Sequence, residues 1–294
     1  MTRVLCIGSV LWDVIGRAER AIGLGNDVPG HITRLPGGVA MNIAMAVQRA
    51  GLRPFVLTAI GSDDEGTELM RACKGLQVET DLVFRSADMP TDRYLAIEGE
   101  NGLIAAIADA HSLERAGDAI LSPLLDGRLG SDAAPYDGLI CVDGNLTRDL
   151  LSRIALAPAF ARADLRVVPA SPGKAERIGP LIARLNATLY VNLEEAGLLA
   201  TATFADAPSA AHALLEQGAH RVLVTDGARA VSDGVAGQGI VTMNPPQIRE
   251  ARVTGAGDTF MAAHIAAELA GQDRAQALET ALETAARYVA GEPA

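Results

Sequence analysis

Six short runs of nearly unbroken apolar residues punctuate the chain, at 4–10, 55–60, 138–142, 165–168, 188–191 and 221–225. Each ends in a polar or glycine-containing turn. Most are followed by a segment whose apolar residues recur with the helical period, as at 42–50, 65–74, 207–217 and 258–270. Strand-length runs separated by helices imply a parallel sheet covered on both faces. The pattern therefore predicts an α/β fold, a three-layer α/β/α sandwich around a mostly parallel central sheet. Ligands of such sheets bind beyond the carboxyl ends of the strands. The residues just after each apolar run are thus the ones to inspect.

Two stretches, about 15–34 and 90–109, break the alternation with glycines and short alternating segments. Glu100-Asn101-Gly102 contains the Asn-Gly pair of a tight hairpin. Together they predict a small β element projecting from the sheet, a candidate lid, although a hairpin without function has the same periodicity. Residues 122–136 read as a loop. There is no internal repeat, and the 294 residues read as one domain carrying the lid segments.

Composition narrows the function. Apolar residues make up 49% and charged residues 21%, which excludes wholesale disorder. With 25 basic against 36 acidic residues, the net charge of −11 suits neither a nucleic-acid backbone nor an anionic membrane. Cys6, Cys73 and Cys141 form no CxxC pair, which argues against a disulfide framework or structural zinc. Cys6 and Cys141 lie in apolar runs and read as small buried hydrophobes. The N-terminal run reads as a first strand rather than a secretory leader, and no apolar stretch approaches the ~20 residues of a spanning helix. The expectation is a cytoplasmic protein.

The candidate chemistry begins at Thr254-Gly255-Ala256-Gly257-Asp258, directly before an apolar helix. Two glycines there allow a tight turn that aims free N–H groups at one point, and the helix dipole makes that point an anion site. Asp258 beside it has two equal readings, a helix cap or an acid accepting a proton from a nucleophile that attacks the anion. A second glycine pair, Gly37-Gly38, opens a helix that carries Asn42, a side chain able to hold hydroxyls. Asp13 follows the first run, either as a strand-ending turn acid or as an acceptor for vicinal hydroxyls; Trp12 beside it reads as core. Asn192 and Glu195 follow the 188–191 run. Unaided, they read best as a polar helix start, and otherwise as oxygen groups for Mg²⁺. Thr225-Asp226-Gly227 ends another run and suits either a phosphate or a plain turn. Gly61 to Gly66 has P-loop glycine spacing without the Lys-Ser/Thr, and no GxGxxG, HExxH or GxSxG motif is present. The five histidines have no metal-ligand spacing.

In combination and in this order, Gly37-Gly38-Val39-Ala40-Met41-Asn42-Ile43-Ala44, Asn192 with Glu195, and Thr254-Gly255-Ala256-Gly257-Asp258-Thr259-Phe260 resemble the PfkB, or ribokinase-like, carbohydrate kinase family. The resemblance covers nearly the whole chain. Within the family, 142–146, 191–199 and 105–109 look most like pseudouridine kinases. The resemblance implies ATP- and Mg²⁺-dependent phosphorylation of a primary hydroxyl. Asp258 would be the base, with Gly255, Ala256 and Gly257 as the anion hole. Asp13, Gly37, Gly38 and Asn42 would hold the sugar, Asn192 and Glu195 would organise the metal through water, and Thr225 and Gly227 would touch the ATP phosphates. Three departures stand out. Arg252 replaces an acid often seen at a monovalent-cation site, Ala230 replaces a glycine, and Val168-Pro169 stands where an Asp-Pro is common; Lys174 nearby has no assigned role. A lid edge can serve as a dimer interface in this family, and no residue here decides for or against a homodimer. Two other readings stay open, a free-sugar kinase and a non-catalytic sugar- or nucleotide-binding regulator.

Overall fold

The structure is a computed structural model that describes residues 2–23, 25–100, 102–249 and 254–292. In chain order the strands are β1 (Arg3–Ile7), β2 (Leu11–Arg17), β3 (His31–Gly37), β4 (Arg53–Leu57), β5 (Ala59–Gly61), β6 (Phe84–Ser86), β7 (Arg93–Gly99), β8 (Gly102–Asp109), β9 (Leu139–Asp143), β10 (Asp164–Val168), β11 (Ala187–Asn192), β12 (Arg221–Thr225), β13 (Val231–Val235) and β14 (Gly239–Met243). The helices are α1 (Val39–Arg49), α2 (Asp64–Gly75), α3 (Ser112–Ala116), α4 (Ser122–Leu125), α5 (Arg148–Leu156), α6 (Leu193–Ala200), α7 (Ala207–Glu216), α8 (Ala256–Leu269) and α9 (Arg274–Val289).

Eight strands form the central sheet in the order β14-β13-β12-β11-β10-β9-β1-β4. From β4 to β12 every pairing is parallel. Strands β13 and β14 add an antiparallel edge that the apolar pattern did not foretell, because Val231–Val235 is interrupted by Ser232, Asp233 and Gly234. Alternation along each inner strand divides the core. Leu5 and Ile7 face α5 and α7, whereas Val4 and Cys6 face α1, α2, α8 and α9. The three expected layers are present. Cys6 and Cys141 are buried register partners, and Cys73 is buried too.

The two irregular stretches build a second sheet, β3-β2-β7-β8, with β2 paired in parallel to β7 and antiparallel to β3. The expected hairpin is β7–β8, although Asn101 at its tip lies outside the described residues. Trp12 is core, as read, with Arg34 stacked 4.0 Å over its ring. Asp13, however, sits inside β2 rather than in a turn: Leu11 reopens a strand that the short gap after Ile7 hid. Residues 122–136 are likewise not all loop, since Ser122–Leu125, with Pro123 in the first-turn position proline favours, forms the single turn α4.

Among helices of eight or more residues, α2, α5, α6, α7 and α9 begin with a side chain that accepts a first-turn N–H. Helices α1 and α8 begin instead at Gly38 (φ 90°) and Gly255 (φ 83°), with no such cap among the described residues. Both open at the carboxyl edge of the central sheet.

Candidate active site

The start of α8 is bare. Gly255 takes a left-handed conformation (φ 83°), which glycine adopts readily, and a Cβ there would lie 2.7 Å from the Tyr288 hydroxyl. Among the described residues no side chain accepts the N–H groups of Ala256, Gly257 or Asp258. Orphan donors of this kind, with the helix dipole behind them, make an anion site. Among the described residues, apart from its chain neighbours and the helix's own backbone, nothing lies within 4 Å of a Cβ built on Gly257, which leaves the turn open to the cleft.

Asp258 is half-buried on the wall of this cleft and does not cap the helix. Among the described residues nothing hydrogen-bonds its carboxylate. Burial pushes it up to about 7, with the nearby Asp143 and Glu195 adding to the rise and Arg49 opposing it. An acid with that property can hold or release a proton near neutral pH.

The start of α1 is organised by a group that the sequence reading placed in the 142–146 resemblance but gave no role. The fully buried Asp143, at the end of β9, accepts N–H bonds from Ser9 (2.8 Å), Ala40 (2.9 Å) and Asn145 (2.8 Å). It thereby ties the loop after β1 to the helix that carries Asn42. Gly8 and Gly38 make that possible, since a Cβ would strike the Asp143 carboxylate at the first and the Ser9 carbonyl at the second. Similarly, a Cβ at Gly37 would fall on the Asp13 carboxylate. Burial pushes Asp13 up to about 6.

On the opposite wall Asn192 caps α6. Its Oδ1 accepts the Glu195 N–H at 2.8 Å, and Glu195 Oε2 accepts the Asn192 N–H at 2.9 Å. The bland reading of this pair is therefore what the backbone uses, and the pair also faces the cleft. Burial raises Glu195, opposed by its bond from Asn192. Among the described residues no group of three or more His, Cys, Asp or Glu side chains is placed to hold a metal ion. A Mg²⁺ ion keeps several waters and takes one or two carboxylates plus substrate phosphates. Glu195, with only one oxygen engaged, fits that sparse demand.

Three cavities meet at these residues. A cleft of about 310 Å³ brings together Asn192, Glu195, Thr225, Gly255, Gly257 and Asp258. A smaller one of about 80 Å³ joins Asn42 and Arg49 to Gly255 and Asp258. The third, about 180 Å³ and mostly apolar, runs from Thr225 and Gly227 past Ala256, Gly257 and Phe260 to Leu282 and Val289. Asp13, Gly37 and Gly38 line none of them; they adjoin the site only through α1, whose Val39 and Asn42 do. Arg252 lies outside the described residues. Lys174 donates to Asn145 Oδ1 at 2.8 Å, so it supports the loop after Asp143. The sequence reading gave no role to Asp143, Arg49 or Tyr288. Only the first had a signal, an acid ending an apolar run.

A family model described as pfkB family carbohydrate kinase matches residues 1–291. The pseudouridine kinase of Escherichia coli K12 is 27% identical over 88% of this chain and 81% of its own length. That of Arabidopsis thaliana is 26% identical over 60% of the chain, and the match spans only 44% of the Arabidopsis protein. A solved carbohydrate kinase from Agrobacterium tumefaciens superposes with a TM-score of 0.81 at 26% identity, covering 97% of this chain and 90% of that one. An Arabidopsis ribokinase complexed with ribose and ATP gives 0.78 at 19% identity, covering 98% and 91%.

Proposed function

The chain belongs to the pfkB family of carbohydrate kinases, phosphotransferases with an alcohol acceptor, and on that premise we propose that it transfers the γ-phosphate of ATP to the primary (5′) hydroxyl of a ribose-containing small molecule, with pseudouridine the leading acceptor. The observation that carries this reading is Asp258, an acid without a hydrogen-bond partner among the described residues, beside the bare start of α8. In the proposed step the acceptor oxygen forms a bond to the γ-phosphorus, the bond from that phosphorus to the ADP oxygen breaks, and Asp258 takes the hydroxyl proton. The N–H groups of Gly255, Ala256 and Gly257 hold the charge on the moving phosphoryl oxygens. Alignment and charge stabilisation carry most of such a reaction.

Asn42, Asp13, Gly37 and Gly38 form the proposed sugar side. The apolar cavity below Phe260 suits the nucleotide base, with Thr225 and Gly227 at its phosphate end. Glu195 and Asn192 would hold Mg²⁺ through water, and the bound ion would neutralise phosphate charge. The small sheet is the proposed lid of a single kinase domain. Its exposed Ile32, Leu103 and Ile107 suit a face that closes on a ligand or on a second copy. The pseudouridine assignment draws on the two kinases of that name, and the nucleotide on the ATP-bound ribokinase.

An ADP-release assay across nucleosides and free sugars, with ³¹P NMR of the product, tests the reading. Turnover with pseudouridine and a 5′-phosphate product supports it. ADP release with free sugars alone would favour the free-sugar kinase, and ligand binding without any turnover would favour a non-catalytic regulator.

A further inference from the structure

The small cavity behind Asp258 has a wall that the reaction above does not use. Arg49 ends α1 there, and its guanidinium lies 5.7 Å from the centre of the Tyr288 ring of α9, within cation–π range. Tyr288 in turn donates its hydroxyl to the Thr254 carbonyl at 3.0 Å, and that same hydroxyl would have to shift to admit a side chain at Gly255. A continuous set of contacts thus runs from the last turn of α1, across α9, to the turn that opens α8. Among the described residues, the charged groups facing Asp258 are the carboxyls of Asp143 from β9 and Glu195 from α6, and Arg49 from α1, the opposing charge. Tyr288 of α9 is the further titratable group on this cavity's wall.

We propose that Arg49 is a positioning residue for phosphoryl transfer: stacked on Tyr288, it fixes the Thr254–Gly255 turn and sets a positive charge behind Asp258 against the two neighbouring carboxylates. The proposal rests on the kinase reading and adds to it a group that touches neither ligand. Arg49 is exposed, so its charge is screened and its electrostatic effect is modest. Its effect on Asp258 has a definite sign. Without the guanidinium, Asp258 keeps its proton to higher pH, and a base that must be ionised loses most on the acid side.

The test compares wild type with Arg49→Lys, Arg49→Gln and Tyr288→Phe. The readouts are kcat and KM against pH, together with carboxyl-carbon NMR titration of Asp258, which needs no turnover. Arg49→Gln is expected to lower kcat with acceptor KM nearly unchanged, and to move the Asp258 midpoint upward by roughly half a unit, about a threefold extra loss at acid pH. Arg49→Lys restores the midpoint, and Tyr288→Phe lowers kcat equally at all pH. Should Arg49→Gln not fold, Arg49→Met keeps the aliphatic stem and replaces it. An unmoved midpoint in the Gln or Met variant, or equal losses in the Lys and Gln variants, overturns the proposal. A wild type that turns over no acceptor overturns the kinase reading instead, and the titration still decides whether Arg49 acts on Asp258.

Discussion

Helix α8 carries an acid near each end, and the two are treated in opposite ways. Glu268, in its last turn, lies between Arg166 of β10 and Arg221 of β12. Burial would raise its carboxyl, but Arg166, with His264 and Arg221 after it, outweighs burial and holds it down to about 2. The surrounding groups are equally well matched. Asp233 accepts from Arg221 (2.8 Å) and Arg274 (3.1 Å), and the fully buried His264 shares a 2.9 Å hydrogen bond with Tyr190, its ring kept neutral by burial, which drives it down to about 4. Asp258, in the first turn, sits where the helix dipole favours a carboxylate. Even so, burial and two like charges push it to about 7, and no cation among the described residues comes within ion-pair distance. An acid with every valence matched holds two layers together, and that state is of no use to a substrate. The other has been left the capacity to take a proton.

Breaking the contrast at the bare end has the largest expected effect. Asp258→Asn should lower turnover on the order of 10² to 10⁴ while calorimetry shows nucleotide and acceptor still bound; full turnover would remove the base from the account. Gly37→Ala comes next. Its new methyl displaces the Asp13 carboxylate, and acceptor KM should rise about tenfold or more with ATP KM unaffected, as steady-state kinetics would show. An unchanged acceptor KM would take Asp13 out of the sugar side.

At the matched end, Glu268→Gln leaves Arg166 and Arg221 short of charge and should cost about 1.5–3 kcal/mol in urea unfolding. The sign with pH follows from a depressed carboxyl. The Glu268 contribution is complete above its ordinary 4.5 and fades as pH falls toward 2, so wild type and variant should converge in that window. Constant separation down to pH 2 would contradict the pairing. Asp258 has the opposite sign, because a raised carboxyl costs stability once it ionises. Asp258→Asn should therefore melt a few degrees above wild type at pH 8 and level with it below pH 4.

Much of this was legible in the residue pattern, for a physical reason. The inner strands β1, β9, β10, β11 and β12 are buried on both faces, so their sequences are nearly pure hydrophobic runs and their ends mark the cleft. Gly37, Gly38 and Gly255 announced turns where a Cβ would crowd a neighbouring group. What failed to show was long-range. Strand β13, between β12 and the edge strand β14, carries Asp233 because Arg221 and Arg274 reach it from other elements. Asp143 reads as a strand end until Ser9 and Ala40 are seen to converge on it. Asn192 and Glu195 looked like a helix start and are one, yet the same pair borders the cleft, a double use that spacing alone does not separate.

The most direct measurement is the pH dependence of kcat in the wild-type protein with saturating ATP and acceptor. An acid limb of unit slope is expected, with its midpoint near 7, where the half-buried, unmatched Asp258 loses its proton. Turnover that stays level through neutrality and falls only near the ordinary aspartate value of 3.8 would contradict it.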